Sequence, residues 1–118
     1  MVTDLKKAFL AGAAVGKYRF VKFGADDDTA IVAAAATDKI IGSSESHDVA
    51  SGDTFDVFMG EIGKVICGGN VARGDALTSD ASGGAIATTT AGNRIGGFAL
   101  KSGVAGDVIP YRIQLGVY

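Results

Sequence analysis

The chain has no tryptophan, one proline, one cysteine and one histidine among 118 residues, and each scarcity closes off a class of protein. A lone Cys67 cannot build an internal disulfide framework, and with His47 it cannot supply the ligands of a structural zinc site, so no metal and no cofactor are expected. No stretch approaches the ~20 apolar residues of a membrane-spanning helix. Lys6-Lys7 followed by Ala8–Gly16 imitates a secretory leader but is short and has Asp4 before it, so neither a leader nor a membrane partner is expected. A strong positive charge is missing too. The net charge of −2 and a pI near 5.2 argue against a chain that holds nucleic acid by its phosphates.

Catalytic signatures fail in the same way. Gly60-Glu61-Ile62-Gly63-Lys64 has the wrong upstream spacing for a phosphate loop and no Ser or Thr after the lysine. Gly92–Gly97 lacks the central glycine and the helix of a dinucleotide site. His47 beside Asp48 invites a general-base reading without a nucleophile to serve. Cys67 sits in an apolar run and reads as a small buried hydrophobe. The chain is not expected to be an enzyme.

What is present is glycine, 18 residues of it, with abundant Ala, Thr and Val. That composition predicts a β-rich single domain with tight turns. One turn motif recurs as Val49-Ala50-Ser51-Gly52-Asp53, Val71-Ala72-Arg73-Gly74-Asp75 and Val104-Ala105-Gly106-Asp107, each leading into a strand-like run. Glycine supplies positive φ and Asp bonds its own backbone, as a chain reversal requires. The copies are unequally spaced, which predicts recurring corners in one small β domain and no solenoid period. Arg73-Gly74-Asp75 spells an integrin tripeptide, but the turn accounts for it without a receptor. Strands are expected over 17–23, 29–36, 39–42, 54–59, 64–67, 85–90, 94–100 and 108–118, with a polar loop at 43–48 and an acidic turn at Asp26, Asp27 and Asp28. The paired Gly96-Gly97 predicts a bend or a backbone at close range. Ile109, Tyr111, Ile113, Leu115 and Val117 share one face of the last strand.

Charge divides the chain. Residues 1–22 hold five basic groups against Asp4, a net of +4, which leaves −6 for the remainder. Residues 1–16 read as a basic, glycine-limited arm ordered by a partner, with residues 17–118 as the β domain.

Val21–Thr29, Ala33–Asp38 with Ile40-Ile41-Gly42, Gly74–Asp80, Ala91–Gly96 and Ala105–Asp107 resemble the capsid cement, or head decoration, proteins of tailed phages. The resemblance implies an all-β fold, a small single-domain β-barrel or β-tulip with an extended N-terminal arm. It implies a structural virion protein on the outer surface of the capsid, binding the major capsid protein and stabilising its lattice, as a homotrimer at three-fold and quasi-three-fold positions. Lys6, Lys7, Phe9, Leu10, Lys17 and Arg19 are then the expected capsid contacts. The alternative is a surface-displayed module that binds a host receptor or glycan, for which three Tyr and six Phe offer little aromatic material.

Overall fold

Short apolar runs punctuated by glycine turns become ten strands in the computed structural model, which describes residues 6–118. They are β1 (Lys6–Ala11), β2 (Phe20–Phe23), β3 (Thr29–Val32), β4 (Gly42–Ser44), β5 (Thr54–Phe58), β6 (Ile62–Ile66), β7 (Ala76–Ser79), β8 (Ala85–Ala87), β9 (Arg94–Ala99) and β10 (Val108–Val117). The first five close into a barrel in the order β1-β3-β2-β4-β5. The last five form a sheet in the order β6-β10-β9-β7-β8. The fold is all-β and a single small domain.

The two halves repeat one design. Placing β1 to β5 on β6 to β10 reproduces every neighbour relation except the β1·β3 ladder, β1·β5 becoming β6·β10 and β2·β4 becoming β7·β9. A shift of 54 to 56 positions carries the bridge Val15–Val49 onto Val71–Gly103. The parallel β1·β3 pairing at Leu10–Thr29 and Ala11–Ala30 survives in the second half as one bridge, Cys67–Ala85. The first half is therefore closed by a ladder and the second by a single stitch. Even a steric detail recurs: a Cβ on Gly42 would lie 2.1 Å from the Phe58 carbonyl oxygen, and one on Gly97 1.9 Å from that of Arg112. Close backbone approach thus explains Gly97, as the sequence predicted.

The recurring turn is a clamp. In Ala50–Asp53, Ala72–Asp75 and Val104–Asp107 the last N–H donates to the first carbonyl, and the glycine has φ of 89°, 90° and 93°, the geometry of a type II turn. Each glycine N–H then donates to the carbonyl of a strand residue, Ala11, Ala99 or Cys67, whose own N–H donates back to the Asp carbonyl. Thr90–Asn93 clamps Tyr118 likewise through Gly92 and Asn93. Open space surrounds the Cβ direction at Gly52, Gly74 and Gly106, so φ rather than crowding demands glycine. The counterpart of Gly74 in the first half is Tyr18, whose φ of 55° is otherwise anomalous for a bulky residue. Its turn lacks the Gly-Asp signature, and the repeat is hidden there.

Two clusters fill the core. Phe9, Ala11, Val15, Val21, Ile41, Phe55 and Val57 pack inside the barrel. Val65, Cys67, Leu77, Ile109 and Tyr111 fill the concave side of the sheet, joined by Phe20, Ala33 and Ile40 from the barrel's outer wall. Phe20 stands edge-on to Tyr111 at 5.5 Å and fills space that Gly96 leaves, where a Cβ would come within 2.6 Å of its ring. The barrel's Ile41 takes the position that Gly96 has in the sheet. One half thus plugs the other.

Other expectations change. Lys6–Ala11 is not an arm outside the domain, because β1 pairs with β5 from Lys6–Phe58 to Leu10–Thr54 and with β3. The part of the expected arm before Lys6 lies outside the described residues. Ser43 and Ser44, expected in a polar loop, are buried in β4, their hydroxyls donating to the carbonyls of Lys64 and Gly16 at 2.8 and 2.7 Å. Tyr111 OH donates to Ser43 Oγ at 2.9 Å, and burial pushes the phenol's pKa well up.

Candidate functional site

The residues with chemical potential are apart or spent on structure. His47 is exposed in the loop after β4. Cys67 is buried, and desolvation, aided by the Asp107 charge, raises its thiol pKa, the reverse of an activated nucleophile. Among the described residues no three His, Cys, Asp or Glu side chains converge as metal ligands. Asp75 of the Arg73-Gly74-Asp75 turn uses its carboxylate to accept the Ala72 N–H at 2.9 Å, and Ser102 Oγ accepts the Arg73 N–H. The acid a receptor would need is folded back into the turn.

Of the six expected contact residues, Lys6, Lys7, Phe9 and Leu10 lie on β1, and Lys17 and Arg19 lie in the segment before β2. Lys6 pairs with Glu45 and lies over the Phe58 ring, 5.1 Å from its centroid. Lys7 is exposed, its ammonium 4.3 Å from the Phe9 centroid. Phe9 is buried inside the barrel and cannot be a contact on its own. Leu10 is exposed on the outer wall, 46% accessible. The Lys17 N–H donates to Asp48 Oδ1, and Arg19 spans the two halves by donating to the Ser82 carbonyl at 3.3 Å.

Three surface features remain. A cleft of about 180 Å³ lies at the seam, lined by Lys6, Tyr18, Glu45, Phe58 and Lys64 among others. The β2–β3 turn carries Asp26, Asp27 and Asp28. Asp26 accepts from Thr29 Oγ1 and then from the Asp28 N–H, which lowers its pKa, while Asp27 and Asp28 point their charge at solvent. The third feature is the end of β10. Beyond Ile113, whose N–H donates to the Glu61 carbonyl, β10 has a partner among the described residues only on the β9 side. Leu115, Val117 and Tyr118 are 47%, 53% and 50% exposed there. A register shift between Ile113 and Gly116 breaks the alternating row recognised in the sequence and sets Gly116 opposite Ile95 and Val117 opposite Arg94. Of ten exposed large apolar side chains among the described residues, three (Leu10, Phe23 and Met59) belong to the barrel half and the rest to the sheet half.

This architecture has a solved counterpart. The chain is similar to the base of a phage head fibre. The crystal structure of the head fiber gp8.5 N base in bacteriophage phi29 matches over 93% of each chain, with a TM-score of 0.73 and 25% sequence identity. No protein-family model and no curated protein matches the chain. The match overturns the resemblance to capsid cement proteins, and with it the lattice-stabilising function. The segments behind that resemblance, such as Gly74–Asp80 and Ala105–Asp107, are turn clamps and their following strands, which any fold built on this turn would share. The arrangement is one of structure and contact, not catalysis.

Proposed function

We propose that this chain is a structural component of a phage virion, a surface-displayed module that serves as the base of a head appendage and works as a homo-oligomer. The observation that carries the reading is the likeness to a head-fibre base across 93% of both chains at a TM-score of 0.73. The fold suits the task. A closed barrel has no free edge to aggregate, and the Phe20 plug joins the halves into one body able to transmit load from the head to what is displayed. Contact with a host receptor or glycan, if this module makes it, falls to the seam cleft, where Tyr18 and Phe58 provide apolar faces beside Lys64 and Glu45.

Purified particles of the phage that encodes the chain provide the test. Gold-labelled antibody against the chain is expected on the head, at projecting appendages. Particles lacking the chain are expected to keep the thermal and osmotic resistance of their heads, which loss of a cement would lower. Absence from particles, or labelling of the tail alone, would contradict the proposal.

A further inference from the structure

We infer that the end of β10 is a docking surface for a second copy of this chain, and that it receives the acidic face of that copy's barrel. The inference rests on the multi-copy appendage reading and names the contact that would build it. Leu115, Val117 and Tyr118 are about half exposed on a strand end that, among the described residues, is paired on one side only, an apolar edge of the kind that invites association. Two basic residues accompany them, Arg94 directly opposite Val117 and exposed Arg112 opposite Phe98.

Charge selects the occupant. Two β10 ends facing each other would bring Arg94 and Arg112 against their own copies, like against like. The barrel half offers the complement. Leu10 is exposed, its N–H donating to the Asp28 carbonyl at 2.8 Å, and the adjacent turn presents Asp27 and Asp28. The counterpart of that turn in the second half already docks. Ser82 accepts from Arg19, and Gly83 accepts the Phe20 N–H at 2.8 Å. The same element of the fold is thus an intramolecular contact in one half and an exposed charged tip in the other. A contact between β10 of one chain and the barrel of the next is heterologous, so it closes into a ring or continues as a filament according to its rotation.

Sedimentation equilibrium of the full chain tests this. The wild type is expected to assemble reversibly, and more weakly at high salt. Arg94→Glu/Arg112→Glu and Asp27→Lys/Asp28→Lys are each expected to weaken assembly at least tenfold. Both pairs combined in one chain restore the complementarity with signs exchanged and are expected to recover assembly. All four substituted positions avoid the core, and circular dichroism confirms the folding of each variant. A wild type monomeric at every concentration would overturn this inference together with the homo-oligomer. Assembly indifferent to either charge pair, or no recovery on combining them, would overturn the interface and leave the multi-copy reading standing.

Discussion

The two halves share strand order, clamps and the tight glycine contacts, yet one is sealed and the other is not. In the barrel, β1 fills the gap between β5 and β3 and every strand has two neighbours. In the sheet, among the described residues, the corresponding gap holds only the Cys67–Ala85 bridge, and the end of β10 runs on with one neighbour. The difference shows how a repeated unit acquires a direction. Closure removes one half from further pairing, while incomplete closure leaves the other an edge and most of the exposed apolar side chains. The interior follows the same logic, since the barrel fills itself with Ile41 whereas the sheet, with Gly96 at that place, accepts Phe20 from its twin.

The most severe way to break the comparison is at the glycines both halves need. Gly42→Ala and Gly97→Ala each place a Cβ about 2 Å from a carbonyl oxygen. Each is expected to destabilise the chain by roughly 4 kcal/mol or more, and similarly in the two halves, as read by urea unfolding. A tolerated alanine at either position would show that the halves are not equivalent there.

Removing the plug comes next. Phe20→Ala is expected to cost about 3–4 kcal/mol and to split one unfolding transition into two, because its ring is the largest barrel side chain in the sheet's core, beside Ala33 and Ile40. Calorimetry showing a single unshifted transition would refute the plug.

A smaller effect separates Asp38 from its counterpart Asn93. The Asp38 carboxylate accepts the Ala34 and Ala35 N–H groups and pairs with Lys22 at 2.9 Å. The Ala34 bond first, then Lys22, lowers its pKa against an opposing desolvation. Asp38→Asn should therefore cost about 1 kcal/mol at neutral pH. Because the folded-state pKa is depressed, that advantage is complete above the unfolded value of about 3.9. It disappears as the pH falls through the lower folded value, where wild type and variant should converge. A difference that persists in acid would contradict this assignment.

The smallest effect sharpens the comparison. Gly74→Ala should cost about 1 kcal/mol, since its φ of 90° is strained for an L residue and no contact compensates. Tyr18→Gly, at the matching position, should be neutral or gain up to about 1 kcal/mol in thermal denaturation. Equal losses at both positions would mean that the tyrosine side chain, not the turn, decides its site.

Much of the fold was legible because turns and alternation are local. Glycine with Asp at three corners, the row from Ile109 to Ile113 and the paired Gly96-Gly97 all reported what the backbone does. The repeat was not legible, because it is kept in register rather than in side chains. Tyr18 stands where Gly74 stands, and Ala76 where Phe20 does. Lys6–Ala11 read as an arm because only Phe9 and Ala11 turn inward, too few to declare a strand. Alternation also presumes an unbroken strand, and the register shift between Ile113 and Gly116 ends the row, so Leu115 and Val117 looked like core and are surface. Among the contact residues chosen by charge and nearness to the N-terminus, Phe9 enters the barrel and Lys6 pairs with Glu45, neither of which the local pattern shows.

Hydrogen exchange of backbone amides, followed from dilute to concentrated protein, tests most directly whether the sealed half is inert and the open half makes contact. The amides of Lys7–Leu10 should be protected at every concentration, and those of Gln114–Val117 should exchange quickly when dilute and become protected as the chain assembles. Protection of Gln114–Val117 that is already complete in dilute monomer, or that never rises with assembly, would contradict the account.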